Sequence, residues 1–348
     1  MRCSEGRIVN DRLKAKNARV TLHDVAAAAG VSKSTVSRLL DERLPRSGSA
    51  KAEHIRQIAS QLGYVRDESA ASLRRGATGM IGVIVPRLTD TVMAMLYESL
   101  SKAATRAGQF TVVASTEDDP AAVEHSIDRL HRRGVDGLVL ATTRLNDSIT
   151  RNLADGGLPF VLTLRTDGVS PSAIGDDELG GYLATRHLID LGHSRIGLIA
   201  GPEYASSSAG RKKGYLRALG EAAIEPDPNL TISSTFSIEA GVQATDELIA
   251  LKRPPTAIFA VNDNTAIGAL SRLSAAGIEV PQDMSLVGYN DVPIVRHLPT
   301  PLTSVRVPFD QIATEALDLL SRSDSEATER IRLLPPTLIP RASSIRLR

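Results

Sequence analysis

The sequence is poor in the residues that build several kinds of site. Its 348 residues include one cysteine, Cys3, and no tryptophan, and aromatics make up 3% of the chain. A lone cysteine forms neither an internal disulfide nor a multi-cysteine metal site. So few aromatics argue against a module that stacks single-stranded bases on rings. No apolar run approaches the roughly 18 residues of a membrane helix. The charged opening, MRCSEGRIVNDRLKAKNARV, lacks the apolar stretch of a secretory signal. Catalytic signatures are missing too: there is no G-x-S-x-G elbow, no P-loop and no G-x-G-x-x-G after a strand. These absences predict a cytoplasmic, globular protein that is not an enzyme, with no cofactor, no metal and no membrane partner.

What is present is a large core and a lopsided charge. Apolar residues are 42% and charged residues 23%, so the chain is not broadly disordered. Its length suggests two or three domains. The net charge is +1, but residues 1–76 carry 15 Lys and Arg against 8 Asp and Glu, and the remainder carries 26 against 32. A basic segment joined to a mildly acidic body suggests a polyanionic partner for the basic part.

The pattern along the chain divides in the same place. Residues 1–19 lack apolar periodicity and read as a flexible arm. Thr21 with Asp24 is close to a capping box, and Leu22, Val25, Ala26 and Ala29 then share one helical face. Gly30 stops that helix. A second starts near Ser32 with Val36, Leu39 and Leu40 inward, and a third spans Ser49 to Leu62, with Gly63 as its stop signal. Three short helices with a glycine turn between the first two fit a helix-turn-helix unit. Ser69–Arg75 is too short to be a stable helix alone and reads as one formed on docking.

From Met80 the texture changes to short apolar runs: Ile81–Val85, Phe110–Ala114, Gly137–Ala141, Phe160–Leu164, Ile196–Ala200, Ala257–Val261 and Ser285–Val287. Amphipathic stretches lie between most of them. Such alternation predicts right-handed βαβ units and parallel sheets covered on both faces. About 270 residues exceed one comfortable open sheet, so two similar α/β lobes are expected.

The segment VTLHDVAAAAGVSKSTVSRLL is the most informative. Val31 and Val36 lock the first two helices, which leaves Ser32, Lys33, Ser34, Ser37 and Arg38 exposed at the start of the second. Hydrogen-bonding side chains there meet base edges and phosphates. The bland alternative is a helical hairpin with a solvated polar face.

These residues resemble the LacI (lac repressor) family of transcriptional regulators. The likeness runs from Val20 to Arg341, through T-L-x-D-V-A-x-x-A-G-V-S-x-x-T-V-S-R, Leu62-Gly63-Tyr64 and Ala70 to Leu73. It continues with Leu191-Gly192-His193, Arg211-Lys212-Lys213-Gly214-Tyr215, Ala260-Val261-Asn262-Asp263 and Val287-Gly288-Tyr289-Asn290-Asp291. The resemblance implies an all-α helix-turn-helix head followed by two doubly wound parallel-sheet lobes like a periplasmic binding protein. The implied divisions are an arm at 1–19, a head at 20–66, a hinge helix and linker at 67–77, and an effector and dimerisation domain at 78–348. Within the last, one lobe takes about 78–175 and 307–334, the other about 176–306 and 335–341.

The resemblance also implies roles. Lys33 and Ser34 would choose the operator sequence, and Arg38 would contact a base bidentately. Thr21, Ser32, Thr35, Ser37, Ser49, Lys51, Tyr64 and Ala70 would join the DNA surface, and Leu73 would wedge into the minor groove at the operator centre. A dimer would read a pseudo-palindrome in double-stranded DNA. In the cleft, Arg211 would grip a small molecule with Asp263 as its partner, beside Asp90, Arg165, Ser207, Phe236 and Asn290. That set suits a carbohydrate effector that releases the repressor. The alternatives are a corepressor, or a non-sugar ligand such as a nucleoside or purine. The chain departs from the family at Arg66-Asp67, where Pro-Asn is usual, and at Ser47–Ala52, where the usual hydroxyls and arginine are shifted or missing. A plain solute-binding protein would leave residues 20–75 without a purpose, and a sugar- or nucleoside-converting enzyme would lack a nucleophile.

Overall fold

The computed structural model describes residues 20–41, 47–65, 77–145, 147–322 and 330–347. The arm expected at 1–19, the docking helix at 69–75, and with it Ala70 and Leu73, lie outside them. The chain divides into two compact units, one ending at Thr78 and one beginning at Gly79.

The first unit holds helices α1 (Leu22–Ala28), α2 (Lys33–Leu39) and α3 (Ala50–Gln61). Thr21 and Asp24 complete the capping box: the Thr21 N–H and hydroxyl both donate to Asp24 Oδ2, at 2.8 and 2.7 Å. Gly30 turns the chain with φ +62°, a conformation that a side chain would oppose. Ser32 and Ser49 cap α2 and α3, each accepting a backbone N–H three residues on. Val25, Ala26, Val36, Ile55 and Ala59 form the core, with Tyr64 packed on its edge.

The second unit is built on two six-stranded sheets. The first uses β1 (Met80–Val85), β2 (Phe110–Ser115), β3 (Gly137–Leu140), β4 (Phe160–Thr163), β5 (Ser172–Gly175) and β11 (Ile331–Leu334), in the order β11-β5-β4-β3-β1-β2. The second uses β6 (Ile196–Ala200), β7 (Thr231–Ser233), β8 (Ala257–Ala260), β9 (Ser285–Asn290), β10 (Thr303–Arg306) and β12 (Thr337–Ile339), in the order β12-β10-β9-β8-β6-β7. Every pairing is parallel except β10 with β12. The helices are α4 (Thr91–Arg106), α5 (Pro120–Arg132), α6 (Ser148–Gly156), α7 (Asp177–Asp190), α8 (Ser206–Glu221), α9 (Ile238–Ile249), α10 (Asp263–Ala275) and α11 (Phe309–Ser321).

The first sheet shows why its strands read as unbroken apolar runs. Ile81, Val83 and Val85 of β1 face one core with Leu96 and Leu100 of α4, while Ile84 faces a second core with Val123, Leu130 and Leu153. Both faces are dry, so the polar alternation of a one-sided sheet is absent. The chain passes between the sheets three times: from β5 into α7, from β10 into α11, and from β11 to β12. Three closely placed passages form a hinge.

Several elements escaped the apolar-run reading. Ser172-Ala-Ile-Gly, Thr231-Ile-Ser and Thr303-Ser-Val-Arg are three- or four-residue strands with few apolar residues. Phe309–Ser321, unmarked in the sequence reading, is a helix packed on α4, β4 and β5.

Candidate DNA-reading head and candidate effector cleft

In the head, the helix-turn-helix geometry leaves one polar face open. Lys33, Ser34 and Arg38 are exposed, and Ser37 is half-buried. Among the described residues, neither Lys33 nor Arg38 has an ion-pair partner. The remaining hydroxyls have structural work: Ser32 Oγ lies 2.9 Å from Ser34 Oγ and 2.8 Å from Thr35 Oγ1, a cluster that closes the first turn of α2. Lys51 is exposed on α3, while Tyr64 is half-buried against the head core. The face therefore presents two unpaired cations and a hydroxyl on a short helix, groups suited to base edges and phosphates.

In the second unit, the carboxyl ends of the two sheets face one another across a cavity of about 590 Å³. Loops following β1, β2, β3, β4, β6, β7 and β8 all contribute to its wall, as ligand sites in doubly wound sheets require. Six of the seven expected cleft residues line it: Asp90, Arg165, Ser207, Arg211, Phe236 and Asn290. A separate cavity of about 640 Å³ lies at the amino ends of β4 and β5, beside the end of α11, away from those loops.

Backbone strain gathers at the cleft. Among the described residues six non-glycine residues have positive φ, and four of them, Glu117, Asp118, Leu164 and Asn290, line the cavity. Asn290, at φ +102°, is 5% exposed. No hydrogen bond engages its side-chain amide among the described residues, so its donors and acceptor are free for a ligand.

Arg211 is placed by close helix packing. A Cβ on Gly181 would collide with the Arg211 carbonyl, and one on Gly214 with the Glu178 carbonyl, so the backbones of α7 and α8 touch there. The guanidinium lies 3.7 Å above the Tyr289 ring. Its Nε donates to Asp177 Oδ1 at 2.8 Å and its Nη1 to the Val261 carbonyl at 2.7 Å. Burial pushes the Asp177 carboxyl up against the opposing pull of Arg211.

Asp263, expected beside Arg211 in gripping a ligand, does not line the cavity. Asn262 caps α10 and lines the cleft, whereas Asp263, one residue on, turns into the core and is 1% exposed. Its Oδ1 accepts from Ser304 Oγ at 2.7 Å and its Oδ2 from the Val292 N–H at 2.8 Å. Burial raises its pKa to about 7.

Asp90 caps α4 through the Val92 N–H at 3.0 Å and accepts from Asn264 Nδ2 at 3.4 Å across the cleft. Burial raises its pKa. Arg165 makes a bidentate pair with Asp118, at 3.0 to 3.2 Å, that sequence reading did not anticipate. Asp118, Arg144, Tyr204 and Asn264 were also missed. Each sits just beyond a strand's carboxyl end, a position that could have flagged it. Among the described residues no group of three or more His, Cys, Asp or Glu is arranged to hold a metal ion. No helix among them is long and apolar enough to cross a membrane.

The head and the two-lobed cleft together define a class: regulators that join a DNA-reading unit to a ligand-binding body. Comparison with known proteins agrees. Residues 21–67 match the family model described as bacterial regulatory proteins, lacI family, and residues 185–344 match that of the periplasmic binding protein-like domain. The HTH-type transcriptional repressor PurR of Vibrio atlanticus (strain LGP32) is 30% identical, over 93% of this chain and 98% of its own. A transcriptional regulator CelR–cellobiose complex is similar with TM-score 0.72 and 32% identity, over 93% of this chain and 100% of that one. The lac repressor dimer bound to operator and the anti-inducer ONPF is similar with TM-score 0.83 and 28% identity, over 94% and 99%. The chain belongs to the LacI family of bacterial transcriptional regulators, and it is a DNA-binding regulator with an effector-binding domain.

Proposed function

We propose that the chain is a dimeric cytoplasmic repressor that reads a pseudo-palindromic operator and is released when a carbohydrate binds the cleft. Lys33, Ser34 and Arg38 read bases, with Ser37 and Lys51 on the backbone; Thr21, Ser32, Thr35, Ser49 and Tyr64 hold that surface in shape. Arg165, Ser207, Arg211, Phe236, Asn290 and Asp90 hold the effector.

The observation that carries the carbohydrate reading is the charge pairing of the cleft. Arg165 is neutralised by Asp118 and Arg211 by Asp177. Among the expected cleft residues, what is left for a ligand is the Asn290 amide, the Ser207 hydroxyl and the Phe236 ring, and the other charges on the wall are balanced, Arg87 and Arg144 against Glu117 and Glu239. A neutral polyol needs such groups, whereas a phosphorylated ligand needs free cations. The cellobiose complex of the related regulator supports the same reading. A purine is the second reading, supported by the Phe236 ring and the free Asn290 amide on the wall of one cavity, groups that suit a base face and a base edge, and by the likeness to PurR.

A thermal-shift panel of neutral sugars, sugar phosphates and purines separates them, because a ligand that binds only the native state raises its melting point. A neutral sugar is expected to raise it and to weaken operator binding. Stabilisation by a purine alone would select the second reading.

A further inference from the structure

We propose that Tyr204 is an interlobe latch that closes one end of the effector cleft. Tyr204 follows β6 and belongs to the second lobe, yet its contacts lie on the first. Its hydroxyl donates to Asp118 Oδ2 at 2.9 Å. Its carbonyl accepts the Leu145 N–H at 2.9 Å. Its ring lies under the Arg144 guanidinium at 4.3 Å, with that of Arg165 at 5.6 Å. Two residues on, Ser206 Oγ accepts the Thr166 N–H at 2.8 Å. The segment from Tyr204 to Ser206 is thus fastened to the first lobe by two backbone-donated bonds, one charge-assisted bond and two cation–π contacts.

The receiving side is built for the phenol. Asp118 is held at φ +64°, and its carboxylate already takes both Arg165 nitrogens. Its carbonyl accepts Arg144 Nη2 at 2.7 Å. One strained residue therefore orients both guanidiniums that flank Tyr204. Burial and the Asp118 charge keep the phenol protonated, so it remains a donor. On the opposite wall the corresponding interlobe hydrogen bond among the described residues is that of Asn264 with Asp90 at 3.4 Å, near the limit of a hydrogen bond. The closure is asymmetric: strong at Tyr204 and weak at Asp90. Opening then begins on the Asp90 side, and the Tyr204 ring also forms an end wall that limits how long a ligand the closed cavity accepts.

The test uses the full chain in a Cys3→Ser background, with spin labels at Ala121 and Lys212, exposed positions on the two lobes. Double electron–electron resonance reads the interlobe distance, and hydrogen exchange reads the Leu145 amide. Tyr204→Phe keeps the ring and removes the bond to Asp118. It is expected to move population to longer distances and to speed Leu145 exchange about tenfold, as loss of one charge-assisted bond implies. Asp118→Asn is expected to open the cleft too, and the double variant to open it no further than the larger single effect. An unchanged distance distribution in Tyr204→Phe, or additive effects in the double variant, would overturn the latch. Circular dichroism confirms that each variant is folded.

Discussion

Arg211 and Asp177 meet at 2.8 Å, and that bond ties the ligand cleft to the hinge. Arg211 lines the cavity on α8. Asp177 is the first residue of α7, immediately after the chain has left the first sheet at Gly175. A ligand that draws on Arg211 therefore acts one bond away from an interlobe passage. Such a ligand shifts the equilibrium only by its difference in affinity for the two lobe arrangements.

Removing Arg211 should separate sensing from DNA binding. Arg211→Ala leaves Asp177 buried without its partner, a loss of about 3–5 kcal/mol in a site of this kind. The melting temperature falls, and operator binding, measured below that temperature, stays near the parent value but no longer responds to effector. Loss of operator affinity equal to the loss of effector response would contradict this division.

Arg38 should behave in the opposite way. A bidentate contact to a base discriminates by about 1–3 kcal/mol, or roughly five- to 150-fold. Arg38→Ala is expected to lower the ratio of operator to random-duplex affinity by that factor while effector binding stays unchanged. Fluorescence anisotropy on both duplexes checks it, and an unchanged ratio would remove Arg38 from base reading.

Asp263 makes a pH prediction with a definite sign. Its folded pKa of about 7 lies above the unfolded value of 3.8, so the native state holds its proton more tightly. Stability from this group is complete below about pH 4, declines as pH rises toward 7 and is flat above, with a total on the order of 4 kcal/mol. Ser304 Oγ donates to Oδ1 and the Val292 N–H to Oδ2, and burial outweighs both in raising the pKa. An asparagine has no charge to desolvate and keeps an oxygen for the Val292 N–H, while its amide can donate to a Ser304 hydroxyl turned to accept, so Asp263→Asn should raise stability at pH 8 and flatten the decline. Chemical denaturation at pH 5 and pH 8 measures it; destabilisation by the variant at pH 8 would refute the assignment.

The C-terminal strap should loosen in acid. His193 Nδ1 lies 2.9 Å from Thr256 Oγ1, and its Nε2 lies 3.1 Å from both Ser285 Oγ and the Ile345 carbonyl; His187 Nε2 lies 2.8 Å from Ser344 Oγ. Burial lowers both imidazole pKa values below 6.5. Their contribution is present above pH 6.5 and is lost as pH falls through the folded values. Amide exchange from Ser343 to Leu347, corrected for its intrinsic pH dependence, is expected to rise below pH 6. Constant protection down to pH 4.5 would contradict it.

Local chemistry made much of this legible in advance. The Thr21 box, the Gly30 turn and the caps at Ser32 and Ser49 are short-range features, and the central strands announced themselves by burial on both faces. β5, β7 and β10 did not, since they take their place from pairing with neighbours rather than from composition. That Asn262 faces the cavity while Asp263 turns inward was not legible, because motif position cannot say which of two adjacent polar residues caps the helix. The Arg211–Asp177 and Tyr204–Asp118 bonds span 34 and 86 residues, and nothing local encodes them.

The most direct test of the whole account is a titration of the intact chain against a pseudo-palindromic operator and a scrambled duplex, at several salt concentrations, with and without the sugar found by thermal shift. Predicted are a preference of about 10³ or more for the operator, a log-log salt slope near −0.9 per neutralised phosphate, and weakening of that preference by the sugar. Equal affinity for the two duplexes, or operator affinity indifferent to a ligand that demonstrably fills the cleft, would contradict it.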